Sequence, residues 1–256
     1  MLATALCASM LAGSLARGAE FRFKENSIGS NNLEVHGWIE QGDFQRLQDF
    51  VRAHPTQAYQ SFALELESPG GDVLDAIQIA EFARDMFWSV VVKGTCASAC
   101  FFVYAAAPMR VVDEGRVGVH RPHFNRQLLA YALPDQARKG TSKVNDTVRA
   151  FLARNEVPPW VGELMFTRSS DEITWLTEAQ LQTLGARAPY ADELIVARCG
   201  RRYDAEDAEG EREFTQCLMN LGSMARLPII HGLSKGTPQW TAFKVEMRKA
   251  AERRGR

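Results

Sequence analysis

The chain has almost no net charge: 30 lysines and arginines stand against 31 aspartates and glutamates in 256 residues. Without a basic surplus there is no electrostatic footprint for a polyanion, so neither nucleic acid nor an anionic membrane surface is expected as a partner. Aromatic residues are sparse at 9%, and beyond residue 20 no apolar run reaches the roughly 20 residues of a bilayer-crossing helix. Cysteine is scarce too, five residues in all, and none of the later pairs has the two-residue spacing of structural zinc knuckles. No metal and no cofactor is expected. No internal repeat is visible, and the length suits one good-sized core with a short appended module.

The first segment is unlike the rest. Residues 2–15 are almost all Ala, Leu, Met, Cys, Ser, Thr and Gly, and Ala16-Arg17-Gly18-Ala19 follows with the small residues of a leader-processing site. A signal peptide over residues 1–19 is the expectation, and a periplasmic or secreted protein its consequence, although no Lys or Arg precedes the apolar stretch. The bulky Leu6 before Cys7 counts against a lipoprotein anchor. With the leader removed, Cys96, Cys100, Cys199 and Cys217 remain, an even number that suits an oxidising compartment. Pairing Cys96 with Cys100 and Cys199 with Cys217 is the simplest of three connectivities.

Hydrophobic periodicity organises the remainder. Residues 33–39 read as a strand, 41–53 as a helix ended by Pro55, 61–67 as an alternating strand and 72–87 as a helix with a wide apolar face. A buried strand follows at Val90-Val91-Val92, then a helix of small residues over 97–107 and short strands at 110–112 and 116–120. Alternating strands and helices imply parallel strands joined by crossover helices, an α/β fold. Periodicity fades over 124–143, as in a substrate-facing loop or a plain surface insertion. It returns as helices at 144–155 and 160–166, a strand at 172–175 and a helix over 178–184 capped by Thr177. Residues 20–197 are taken as the α/β domain and 198–256 as a Cys-bracketed helical C-terminal extension.

Three patches carry chemistry. Ser68-Pro69-Gly70-Gly71 turns sharply out of a strand and leaves backbone N–H groups at the start of the next helix, where they can hold an oxyanion. Gly94-Thr95-Cys96-Ala97-Ser98-Ala99-Cys100 sets a serine among small residues at a strand-to-helix turn, the logic of a nucleophile elbow without the G-x-S-x-G string. Val117-Gly118-Val119-His120-Arg121-Pro122 ends a strand in the side chain best suited to deprotonate a serine near neutral pH. Each alone has a bland explanation, a helix cap or a structural histidine; their order and spacing together are specific.

In that order and spacing the sequence resembles the proteolytic subunit of the Clp protease and its crotonase-fold relatives, over roughly residues 31–190, and is most similar to the exported branch of that superfamily. The resemblance implies a Clp-protease/crotonase-like parallel sheet, Ser98 as nucleophile, His120 as base, and an oxyanion hole at Gly70, Gly71 and Ala99. It departs from the family at the third catalytic position: where an Asp is expected after Gly185-Ala186-Arg187, the chain has Ala188. Asp171, Asp192 or a backbone carbonyl is left to orient the imidazole, or the pair works as a dyad. His123 makes an H-x-x-H pair with His120, but Pro122 lies between them and no metal site is expected.

The reading is an exported, ATP-independent serine hydrolase acting on a peptide or protein substrate. A homo-oligomer is compatible with the resemblance; a Clp ATPase partner is not expected where ATP is scarce. Two alternatives stand beside it: a degenerate binding or assembly module that keeps the fold without chemistry, and an acyl-CoA enzyme of crotonase type, against which export and the Ser98/His120 pair both argue.

Overall fold

A computed structural model describes residues 18–26, 30–122, 134–200 and 208–254. Residues 1–17, most of the segment read from sequence as a signal peptide, lie outside the described residues, as do His123 and residues 124–133 of the aperiodic stretch. Among those described, no helix is long and apolar enough to cross a membrane.

One seven-stranded sheet organises the chain. β1 (Glu20–Glu25) pairs antiparallel with β2 (Asn31–His36), which runs parallel to β3 (Ser61–Ser68), itself parallel to β4 (Ser89–Ala97). The long β4 takes two parallel partners in succession, β5 (Arg110–Val112) beside its first half and β6 (Arg116–Val119) beside its second. β7 (Thr174–Trp175) closes that edge antiparallel to β6. The sequence reading of parallel strands and crossovers therefore holds for β2 to β6, with an antiparallel strand at each end. β1 carries Phe21 and Phe23 on alternate positions among charged residues, and it packs them against Phe50 of α1 (Asp43–Ala53).

The crossovers are α1 with α2 (Pro55–Gln60), α3 (Val73–Asp85) and α4 (Cys100–Ala106). Pro55 does more than end α1, because its missing N–H and fixed φ let it serve as the first residue of α2. Asp72 caps α3 by accepting from the N–H groups of Leu74 and Asp75, both at 2.9 Å. Every residue of α4 is buried, which explains why its sequence has no polar face. Leu64 and Leu66 of β3, Val90 and Val92 of β4 and Val117 and Val119 of β6 supply the sheet side of the core. Each such side chain contributes about 1.5–3 kcal/mol of burial.

Beyond the site region lie α5 (Pro134–Arg154), α6 (Pro159–Thr167), α7 (Glu178–Leu184), α8 (Pro189–Cys199), α9 (Ala208–Ser234) and α10 (Pro238–Arg254). Residues 134–143, taken from sequence as aperiodic, are the first turns of α5. They bury nothing, and the helix gains a core face only at Val148, Phe151 and Leu152. The C-terminal helices are not set apart from the core: Ile230, Trp240 and Phe243 belong to the main buried cluster. Arg52 Nε donates to the Leu233 carbonyl at 2.7 Å, and Ser234 Oγ to that of Arg52 at 3.1 Å.

Two buried guanidinium groups differ in how they are satisfied. Arg110 donates to the carbonyls of Ala105, Leu184, Gly185 and Arg187, tying the ends of α4 and α7 to β5. Arg226 donates from Nε to Tyr59 O at 3.0 Å and lies over the Phe62 ring, while its two terminal nitrogens have no acceptor among the described residues. Burial lowers both pKa values, that of Arg226 to about 10. Arg110→Met is expected to cost about 3 kcal/mol by orphaning four carbonyls. Arg226→Met should cost less than about 1 kcal/mol, because it removes a poorly compensated charge. Urea midpoints decide this, and equal losses would contradict the accounting.

Candidate active site

The end of β3 and the end of β4 meet. Both glycines of the Ser68-Pro69-Gly70-Gly71 turn have positive φ, 100° and 142°, a region where a side chain is strained. The turn is gripped from both sides. Gly70 N–H donates to Ser68 Oγ at 3.0 Å. Ile39 N–H donates to Gly70 O at 2.9 Å, and Asp72 N–H donates to Ile39 O at 2.7 Å.

Gly70 then touches the elbow. A Cβ at this position would stand 2.6 Å from Ser98 Cβ, 2.6 Å from Ala97 O and 2.9 Å from Ala99 N. No side chain fits between the turn and the serine. The Gly70 amide is committed to Ser68. Among the described residues the Gly71 and Ala99 N–H groups have no protein acceptor.

Ser98 itself is half-buried and has φ 57°, the left-handed region. That conformation costs a non-glycine residue on the order of 1–3 kcal/mol. The surroundings hold it: Ser98 N–H donates to Gly118 O at 3.0 Å, and Ser98 O accepts from Phe101 N–H at 3.0 Å as α4 begins. Cys96 and Cys100, both fully buried, bracket the serine with their sulfurs at bonding distance and Cα atoms 5.3 Å apart. Cys199 and Cys217 are likewise at bonding distance, Cα to Cα 5.9 Å.

His120 follows β6 directly, two residues beyond the Gly118 carbonyl that receives the Ser98 amide. It is 9% exposed, and its Nδ1 lies 2.9 Å from the Arg121 carbonyl. A carbonyl only accepts, so in the neutral ring Nδ1 carries the proton and Nε2 the lone pair that a base needs. Arg121 is anchored in turn: its guanidinium donates to Phe166 O at the end of α6, from Nε at 3.0 Å.

The structure brings Ser98, Gly70, Gly71 and Ala99 together and sets His120 on the neighbouring strand end. Asp171 stands exposed in the loop before β7; since β7 runs antiparallel to β6, this loop is at the same sheet end as His120. Asp192, in the first turn of α8, pairs with Arg187 at 3.2 Å.

No protein-family model matches the sequence, and no curated protein matches it. Among solved structures the chain is similar in fold to ClpP1 from Listeria monocytogenes, at 16% identity and TM-score 0.42, covering 61% of this chain and 88% of that one. A point mutant of the same ClpP1 gives 17% identity and TM-score 0.39 over the same shares of the two chains. It is also similar to a mutant of the 1510-N membrane-bound stomatin-specific protease, at 13% identity and TM-score 0.41, over 66% of this chain and 83% of the other.

Two contributors had no separate signal in the sequence. Ser68 fixes the turn through its hydroxyl, and the Arg121 carbonyl lies 2.9 Å from His120 Nδ1. The first lies inside a motif already singled out; the second is a backbone atom, invisible to residue patterns.

Proposed function

We propose that the chain is an exported serine hydrolase cleaving peptide bonds without ATP. Ser98 Oγ attacks the scissile carbonyl as His120 Nε2 takes its proton. The Gly71 and Ala99 amides receive the oxyanion, and the acyl-enzyme is released by water that the same imidazole deprotonates. The observation that carries this reading is the seat of Gly70 against a left-handed Ser98. A strained serine held beside uncommitted amides is a costly arrangement for a helix start with no chemistry to do. Export is supported by the small-residue leader and by two cysteine pairs at bonding distance.

A fluorophosphonate probe tests the reading directly. Covalent labelling that disappears in Ser98→Ala is the expected result, and an unlabelled wild type would leave the binding-module alternative. The role of the Arg121 carbonyl leads to a further expectation. With the imidazole oriented by backbone, Asp171→Ala should lower kcat/KM by less than about tenfold, whereas loss of a true orienting carboxylate reaches about 10⁴. A fall of that larger size would make Asp171 the third catalytic residue.

A further inference from the structure

Ala19 is fully buried and held at both ends of its backbone. Its nitrogen donates to Asp43 Oδ2 at 2.7 Å, and its carbonyl accepts from Arg46 Nη2 at 2.5 Å. Asp43, only 1% exposed, also accepts from Glu40 N–H at 2.9 Å and pairs with the half-exposed Arg46. A carboxylate buried this deeply needs strong compensation, and a full positive charge at the Ala19 nitrogen would supply far more than one neutral amide.

We propose that the Asp43 carboxylate is the receptor for an α-ammonium group, created when the chain is cut between Gly18 and Ala19, one residue before the end of the leader expected from the sequence. The step is a hydrolysis: water adds across the peptide bond, the leader departs with the Gly18 carboxylate, and Ala19 keeps its nitrogen, protonated at neutral pH. Two observations fit the bond. Ala16 and Gly18 put small residues at the third and first positions before the cut, the pattern of leader processing. A Cβ at Gly18 would overlap the Asp43 carboxylate and crowd the Arg46 guanidinium, so the space around the Ala19 nitrogen admits backbone or ammonium hydrogens and little else. Carboxylate for the amine and guanidinium for the first carbonyl together make a seat for a chain terminus.

The seat is linked to the active site. The second donor to Asp43 is Glu40 N–H, and the adjacent Ile39 grips Gly70 and Asp72 on either side of Gly71. Charging the Ala19 nitrogen strengthens its contact with Asp43, and through Glu40 and its neighbour Ile39 it steadies the oxyanion turn, so leader removal becomes an activating event. This extension rests on the hydrolase reading; the seat itself does not.

Intact mass of the exported protein is expected to begin at Ala19, and a start elsewhere overturns the proposal. The chain beginning at Ala19, released from a cleavable fusion, is then compared with one retaining Arg17 and Gly18, in which the same nitrogen is an amide and Asp43 is unchanged. The processed chain should melt about 5 °C higher, and Asp43→Asn should remove the difference; equal midpoints overturn the ammonium seat. Fluorophosphonate labelling about tenfold faster in the processed chain supports the link to the turn, and equal labelling with the midpoint shift intact refutes that link alone. No labelling of either chain, with the shift intact, counts against the hydrolase reading and leaves the seat standing.

Discussion

Ser98→Ala and His120→Ala are each expected to lower hydrolysis of a fluorogenic casein by about a thousandfold or more, and the double variant no further than either single. The non-additivity matters more than the size. In the proposed mechanism Ser98 supplies the nucleophile and His120 removes its proton, so neither does its work without the other. Residues acting as one unit lose nearly the whole effect with the first deletion. Two residues contributing separately to substrate binding would instead multiply their losses. The backbone supports the pairing: Ser98 N–H is bonded to Gly118 O, so the strand that ends in His120 is tied to the elbow. Single-variant kcat/KM values at wild-type level, or a double variant equal to the product of the singles, would refute the mechanism while leaving the fold intact.

What the sequence made legible follows from which signals are local. The helix over 178–184 and the strand at 110–112 match the observed elements because their boundaries are set by neighbouring residues, a Thr177 capping box in the first case. The three site patches were legible for a similar reason: a glycine turn, a serine among small residues and a strand-end histidine each announce backbone geometry. β1 was not legible, since Phe21 and Phe23 alternate with charged residues, and the pairing of Arg22 and Lys24 to Glu34 is decided by the neighbouring strand β2. The first turns of α5 were missed because a helix that buries nothing there has no apolar stripe to read. The contact of His120 Nδ1 escaped the sequence reading, because its partner is the Arg121 main-chain carbonyl.

Gly71→Ala is expected to reduce kcat by about 10²–10³-fold, the scale of losing one oxyanion donor, while far-UV circular dichroism stays native. Two effects coincide at this position. The backbone sits at φ 142°, where an L side chain is strained, and a Cβ would overlap the carbonyl of Ile39. Because Ile39 O is itself held by Asp72 N–H at 2.7 Å, the obstacle is fixed backbone, and the turn must move instead. Moving it carries the Gly71 amide away from the place proposed for the oxyanion. Gly236→Ala separates strain from catalysis: its φ is also positive, at 83°, but a Cβ there meets nothing within 4 Å. That variant should lose about 1 kcal/mol of stability and keep its kcat. Fluorophosphonate labelling should slow in Gly71→Ala alongside kcat, since phosphonylation places an oxygen in the same hole. A Gly71→Ala enzyme with native kcat and labelling rate would remove this amide from the mechanism.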